Sequence, residues 1–103
     1  MSGIRKAIYD EISAERDRQD AKFGEQNHPD GTDTDEISIM IADQWRDMVN
    51  QRLADGTVSW TDILFEEAHE AAAEADPAKL RAEVVQIAAV AVAWLECIDR
   101  RAR

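Results

Sequence analysis

Residues 83–96 read EVVQIAAVAVAWLE, and the fold turns on what that stretch becomes. From Ile87 to Leu95 no side chain is polar, so no face of the segment is written for water. The apolar run is too short to span a bilayer, which takes about 20 residues. No strand-like alternation persists here or elsewhere in the chain. The stretch therefore reads as the body of a buried helix, with Glu83 and Gln86 at its head.

Working outward, Asp76-Pro77 supplies an N-cap followed by a proline in the first turn. Arg100, Arg101 and Arg103 suit the negative end of the helix dipole. A fourth helix is expected from there almost to the end of the chain. Helix 3 is expected over about 61–75, with Ser59 as N-cap. Helix 2 is expected over about 35–54, where Ile37, Ile41, Trp45, Met48 and Val49 form an apolar stripe. Asp33 with Glu36 resembles a capping box at its start, and Asp55-Gly56 ends it. Helix 1 is expected over 3–23, from Ile4, Ala7, Ile8, Ile12 and Ala14 at three-to-four spacing, with Gly24 as its stop. The intervening GEQNHPDGTDTD, residues 24–35, has no apolar residue and reads as a loop. It is long for a small helical domain, and loops of that length are often functional.

The 103 residues suffice for one small domain, 1–103, and no linker or internal repeat divides it. Hydrophobic content of 45% and charged content of 33% fit a globular chain. A core this small favours a partner subunit. A net charge of −10 argues against a nucleic-acid polymer or an anionic membrane as partner, since both call for a basic surface. It leaves open a small anionic ligand brought in by a cation. Cys97 is the only cysteine, has no metal-ligand spacing around it and reads as a small buried hydrophobe. No secretory signal opens the chain, so a cytoplasmic protein is expected.

The chemistry concentrates in FEEAHEAAAE, residues 65–74. At about 100° per residue, Glu67, Glu70 and Glu74 fall within about 60° of one another on a helix. They border an apolar side made by Trp60, Leu64, Ala68, Ala71 and Ala75. Residues 60–75 contain no lysine or arginine to interleave. Two readings stand at this point: a solvated acidic face, or a site that takes its positive charge from a divalent metal. His69 projects from a different side and reads as a surface or packing residue. On helix 4, Glu83 and Gln86 share a side with Ile87, Val90 and Trp94, where a carboxylate needs a partner. The turn at Asp76-Pro77 makes helices 3 and 4 antiparallel neighbours. Glu67, Glu70, Glu83 and Gln86 then form an oxygen-lined site suited to Mg2+, unless Glu83 simply pairs with Arg81 or Arg46.

Glu67-x-x-Glu70 followed by Glu83-x-x-Gln86 in a two-helix hairpin resembles the metal motif of the MazG-like nucleotide pyrophosphohydrolases. That all-α superfamily includes the dimeric dUTPases and the phosphoribosyl-ATP pyrophosphohydrolases, and its motif is ExxE, a spacer, then ExxD. ERDRQDAKFGEQNHPDG (15–31), WTDILFEEAHEA (60–71) and LRAEVVQIAAVAVAWLECIDRR (80–101) resemble a small MazG-like subgroup common in actinobacteria and their phages. The matching segments cover about half the chain. Gln86 departs from the pattern, standing where the superfamily has Asp; an amide oxygen is a weaker, neutral ligand. Either one metal is held where relatives hold more, or Glu66 or Glu74 completes the site, or catalysis is lost and binding kept.

The resemblance implies a four-helix bundle completed as a homodimer or dimer of dimers. It implies hydrolysis of a nucleoside triphosphate to monophosphate and pyrophosphate with Mg2+, or Mn2+ in its place. Glu67, Glu70, Glu83 and Gln86 are the implied metal residues. Glu66, Glu67 and Glu70 are the catalytic candidates, with Glu66 or Glu70 as the base that takes the water's proton. Arg16, Arg18 and Lys22, with Glu15 beside them, and Lys79 and Arg81 are candidates for holding the phosphates. Gln19, Gln26, Asn27 and His28 are candidates for reading a base. No Ser/His/Asp or Cys/His arrangement and no Walker-type loop is present. The competing readings are a non-catalytic nucleotide-binding module and a plain helical interaction protein.

Overall fold

In the computed structural model, residues 3–101 are described. They form four helices and no strand: α1 (Gly3–Phe23), α2 (Glu36–Asp55), α3 (Trp60–Ala72) and α4 (Pro77–Arg101). Arg103, expected in the basic tail, lies outside the described residues, while Arg100 and Arg101 do sit in the last turn of α4.

The described residues divide into two compact units, one drawn from 1–30 with 92–103, the other Gly31–Ala91; α4 supplies residues to both. In the first, α1 ends at Gly24, whose φ of 69° gives the left-handed turn that glycine allows. Ile8 is the fully buried side chain of α1, and Arg5 reaches Glu96 of α4 with Nε to Oε1 at 3.1 Å. Ala7, Ile12 and Ala14, expected in the apolar stripe, are exposed.

In the second unit, α2 is capped by Asp35, whose carboxylate accepts from the Ser38 N–H at 2.7 Å. The expected Asp33–Glu36 capping box is therefore corrected. Asp33 instead accepts from the Asp35 N–H, and its own N–H donates to Ala72 O at 2.8 Å, tying the loop to the end of α3. The αL glycine Gly56 closes α2, with its neighbour Thr57 N–H donating to Arg52 O, as the Asp55-Gly56 signal predicts.

Helix α3 starts with a full capping box. Ser59 Oγ accepts from the Asp62 N–H, and the Asp62 carboxylate accepts from the Ser59 N–H, both at 3.1 Å. Asp62 also receives Arg52 Nη1 of α2 at 2.6 Å. With Ala42, Val49 and Ala71 buried, this anchors α2 against α3. The helix ends at Ala72, three residues before the expected Ala75. Glu74 thus leaves the helical stripe; its Oε1 accepts from the Asp76 N–H in the turn. Asp76 then caps α4, its Oδ1 accepting from the Ala78 N–H at 2.9 Å.

Helix α4 is incompletely covered. Within one chain, none of its 25 residues is fully buried. Glu83, Ile87, Val90, Ala91 and Trp94 form a half-buried row, whereas Val84, Val85, Ala88, Ala89 and Leu95 are exposed. No helix among the described residues is long and apolar enough to cross a membrane.

Candidate functional site

The C-terminal half of α3 gathers the acids. Glu66 and Glu67 are adjacent in sequence and Glu70 lies one turn further on, and one carboxylate oxygen from each lies within 4.8 Å of the other two. All three are half-buried. Glu83 of α4 lies near enough that its negative charge acts on both Glu67 and Glu70. Glu66 Oε2 is enclosed and has no hydrogen-bond partner. An ionised oxygen removed from water and left without a donor is costly, so this arrangement calls for a proton or a cation.

The electrostatics point the same way. Burial raises the Glu70 carboxyl to about 7, reinforced by the negative charges of Glu67, Glu83 and Glu66 and opposed by Arg46. Burial also raises Glu67, with Glu83 and Glu66 adding to the effect. Glu66 is raised by burial and partly restored by Arg46. Such upward shifts in neighbouring carboxylates mark a place where negative charge is crowded beyond what the protein neutralises.

Beside the cluster lies an open cavity of about 400 Å3, walled by Ile39, Ala42, Asp43 and Arg46 of α2, by Glu70, Ala73 and Glu74, and by Glu83. Arg46 is the cation on this wall. Its Nη2 is 2.9 Å from Asp43 Oδ1 and its Nε 3.9 Å from Glu70 Oε1. On the other flank His69 stacks on Trp45, with ring centroids 5.5 Å apart and planes 13° from parallel. Phe65 meets the same indole edge-on at 5.5 Å. His69 is a packing residue, as its position on the helix predicts.

The structure thus brings together Glu66, Glu67 and Glu70, with Glu83 adjoining. Gln86 is exposed and does not line the cavity. Of the two acids considered for completing the set, Glu66 is in the cluster and Glu74 is on the cavity wall beyond the helix end. Lys79 and Arg81 are exposed in the first turns of α4. The α1 and loop candidates belong to the first unit and engage one another: Arg18 Nη2 pairs with Glu15 at 2.7 Å, Gln19 Nε2 donates to Glu15 at 3.5 Å, and Arg16 holds Gln19 and Asp20. Lys22 lies over the Phe23 ring, Asn27 donates to Glu25, and His28 shares a hydrogen bond with Gln26.

Sequence reasoning missed two residues. Asp62 gives no hint of its double role, although Ser59-x-x-Asp62 is a capping spacing. Arg46 entered only as a partner for Glu83, but it pairs with Asp43 and Glu70. Its signal was available: it follows Asp43 by three residues and lies one helical turn beyond Ala42 on the stripe that packs against α3.

The donor set suits a hard divalent ion: carboxylate oxygens only, crowded, and including one oxygen that lacks a protein donor. Compared with known proteins, the chain has no significant match among family models, curated proteins or solved structures.

Proposed function

We propose that this chain is a Mg2+-dependent pyrophosphohydrolase acting on a nucleoside triphosphate or related nucleotide. The resemblance of its Glu67-x-x-Glu70 and Glu83-x-x-Gln86 pairs to the MazG-like motif suggests the reaction. The observation that carries the reading is the convergence of Glu66, Glu67 and Glu70 around an enclosed oxygen without a donor. When bound, Mg2+ supplies neutralisation of phosphate oxygens and acidification of a water. Glu67, Glu70 and Glu83 are the residues that hold it. Glu66 is the candidate base that accepts the proton of the attacking water, with Glu70 as the other candidate. Gln86 stands by as a weak neutral donor.

The reading includes a homo-oligomer. A single chain fully buries only Ile8, Ala42, Val49 and Ala71 among its described apolar residues, and leaves the Val84, Val85 and Leu95 side of α4 exposed. Light scattering should return a mass above the 11.6 kDa of one chain. The activity test is pyrophosphate release from a nucleotide panel with Mg2+ or Mn2+. Turnover that disappears in Glu67→Gln and Glu83→Gln supports the proposal, and no release across the panel overturns it. The exposed Gln86 favours one second reading, a module that binds nucleotide without cleaving it. Nucleotide-dependent thermal stabilisation without turnover distinguishes that case.

A further inference from the structure

We infer that Arg46 is a counter-ion with two partners: it holds Glu70 while the acidic cluster lacks a cation, and turns to the phosphate chain of the nucleotide once a metal is bound. This rests on the proposed metal site and adds a residue that neither the motif nor its resemblance supplies.

Glu66, Glu67, Glu70 and Glu83 carry four negative charges when ionised, and Asp43 and Glu74 on the cavity wall add two more. One divalent ion leaves that surface net negative, so a polyphosphate entering the cavity still meets repulsion. Among the residues of that wall, Arg46 alone is positive. Its guanidinium is planar and forked, which matches two oxygens of a phosphate.

The geometry leaves Arg46 available. Its contact to Glu70 is long, 3.9 Å, and its side chain is 51% exposed, so the Glu70 pair is weak. The 2.9 Å contact to Asp43, three residues back on α2, engages Nη2, one nitrogen of the fork. A cation among Glu66, Glu67 and Glu70 competes directly for the Glu70 carboxylate. Losing that partner costs Arg46 little, and the guanidinium, then held by Asp43 through Nη2, stands at the edge of a cavity of about 400 Å3, a size that takes small ligands.

Removing Arg46 should shift metal and nucleotide affinity in opposite directions. Without nucleotide, Arg46→Gln should bind Mn2+ about two- to fivefold more tightly, because a competing cation is gone. With Mg2+ present, its affinity for a non-hydrolysable nucleoside triphosphate analogue should fall about 10- to 100-fold. Affinity for the monophosphate should change by less than about threefold, since the contact falls on the outer phosphates. Arg46→Lys, which keeps charge without the fork, should recover part of the triphosphate loss and serves as the test should Arg46→Gln fail to fold. Weaker Mn2+ binding, unchanged triphosphate affinity, or equal losses for mono- and triphosphate overturn the inference. Wild-type protein that binds Mn2+ and triphosphate while Arg46→Gln behaves identically removes Arg46 and leaves the metal site standing. Wild-type protein that binds neither removes both.

Discussion

The two ends of α3 carry acids of the same chemistry and opposite condition. At the N-terminal end Asp62 is buried, yet two donors surround it: the Ser59 N–H at 3.1 Å and Arg52 Nη1 at 2.6 Å. The Ser59 backbone hydrogen bond and the Arg52 contact hold its carboxyl below the usual range, helped by its place in the first turn. Farther along, Glu66, Glu67 and Glu70 are less buried, but all three are raised. The difference is partner supply. Burial alone sets the cost of a charge, and the donors around it decide whether the fold meets that cost or leaves it for something else to meet. The N-terminal end is a finished joint between α2 and α3, and the other end is an unfinished one.

This contrast can be broken most forcefully by removing ligands. Glu67→Gln and Glu70→Gln should each weaken Mn2+ binding by about 100-fold or more, whereas Asp62→Asn should leave it within about threefold. Calorimetry on folded protein checks this. Stability should respond the other way round. Asp62→Ala should lower the melting temperature of the metal-free protein by on the order of 10 °C, through loss of the capping box and of the Arg52 contact. Glu70→Gln should raise it by on the order of 3 °C, because a crowded charge is removed. If both substitutions destabilise alike, the two ends are not different in kind.

pH separates the ends more finely. Glu70 is raised from 4.5 to about 7 by the fold, so its contribution to stability is full below about 4.5 and is lost as pH rises through about 7. Asp62 and Asp35 are lowered from 3.8, so theirs is present above about 3.8 and lost as pH falls through their folded values. The metal-free melting temperature should peak between these windows, in the region of pH 4 to 5. Glu70→Gln should flatten the alkaline limb and Asp62→Asn the acid limb. The smallest effect concerns the flank: His69→Leu should alter Trp45 fluorescence while leaving Mn2+ affinity within about twofold. A larger loss there makes His69 part of the site.

Much of this was legible in the sequence, for physical reasons. Helix limits follow caps that act locally: Ser59, Asp76-Pro77, Gly24 and Gly56 each behave as their residue type dictates. Local rules faltered at the start of α2, where two aspartates stand two residues apart. Asp35 rather than Asp33 took the Ser38 N–H, and Asp33 was drawn to the end of α3 by a contact distant in sequence. The spacing of Glu67 and Glu70 placed them on one edge, but Glu74 depended on one more turn of helix, and α3 ends first. Glu66 joins because it precedes Glu70 by four residues, a neighbour relation that the three-residue motif obscures. Arg46 was hardest to read, since it faces a cavity that α2 walls together with residues distant in sequence. The all-apolar stretch of α4 reads as a helix, but its covering is not found within one chain.

The central proposal is that the acidic cluster in the C-terminal half of α3 takes up a divalent cation. Calorimetric titration of Mn2+ at about pH 6 and about pH 8, each in two buffers of different ionisation heat, tests it directly. The account predicts saturable binding, tighter at the higher pH, with protons released as Glu70 and its neighbours ionise. Folded protein that shows no saturable Mn2+ heat at either pH, or binding that is independent of pH and releases no proton, contradicts it.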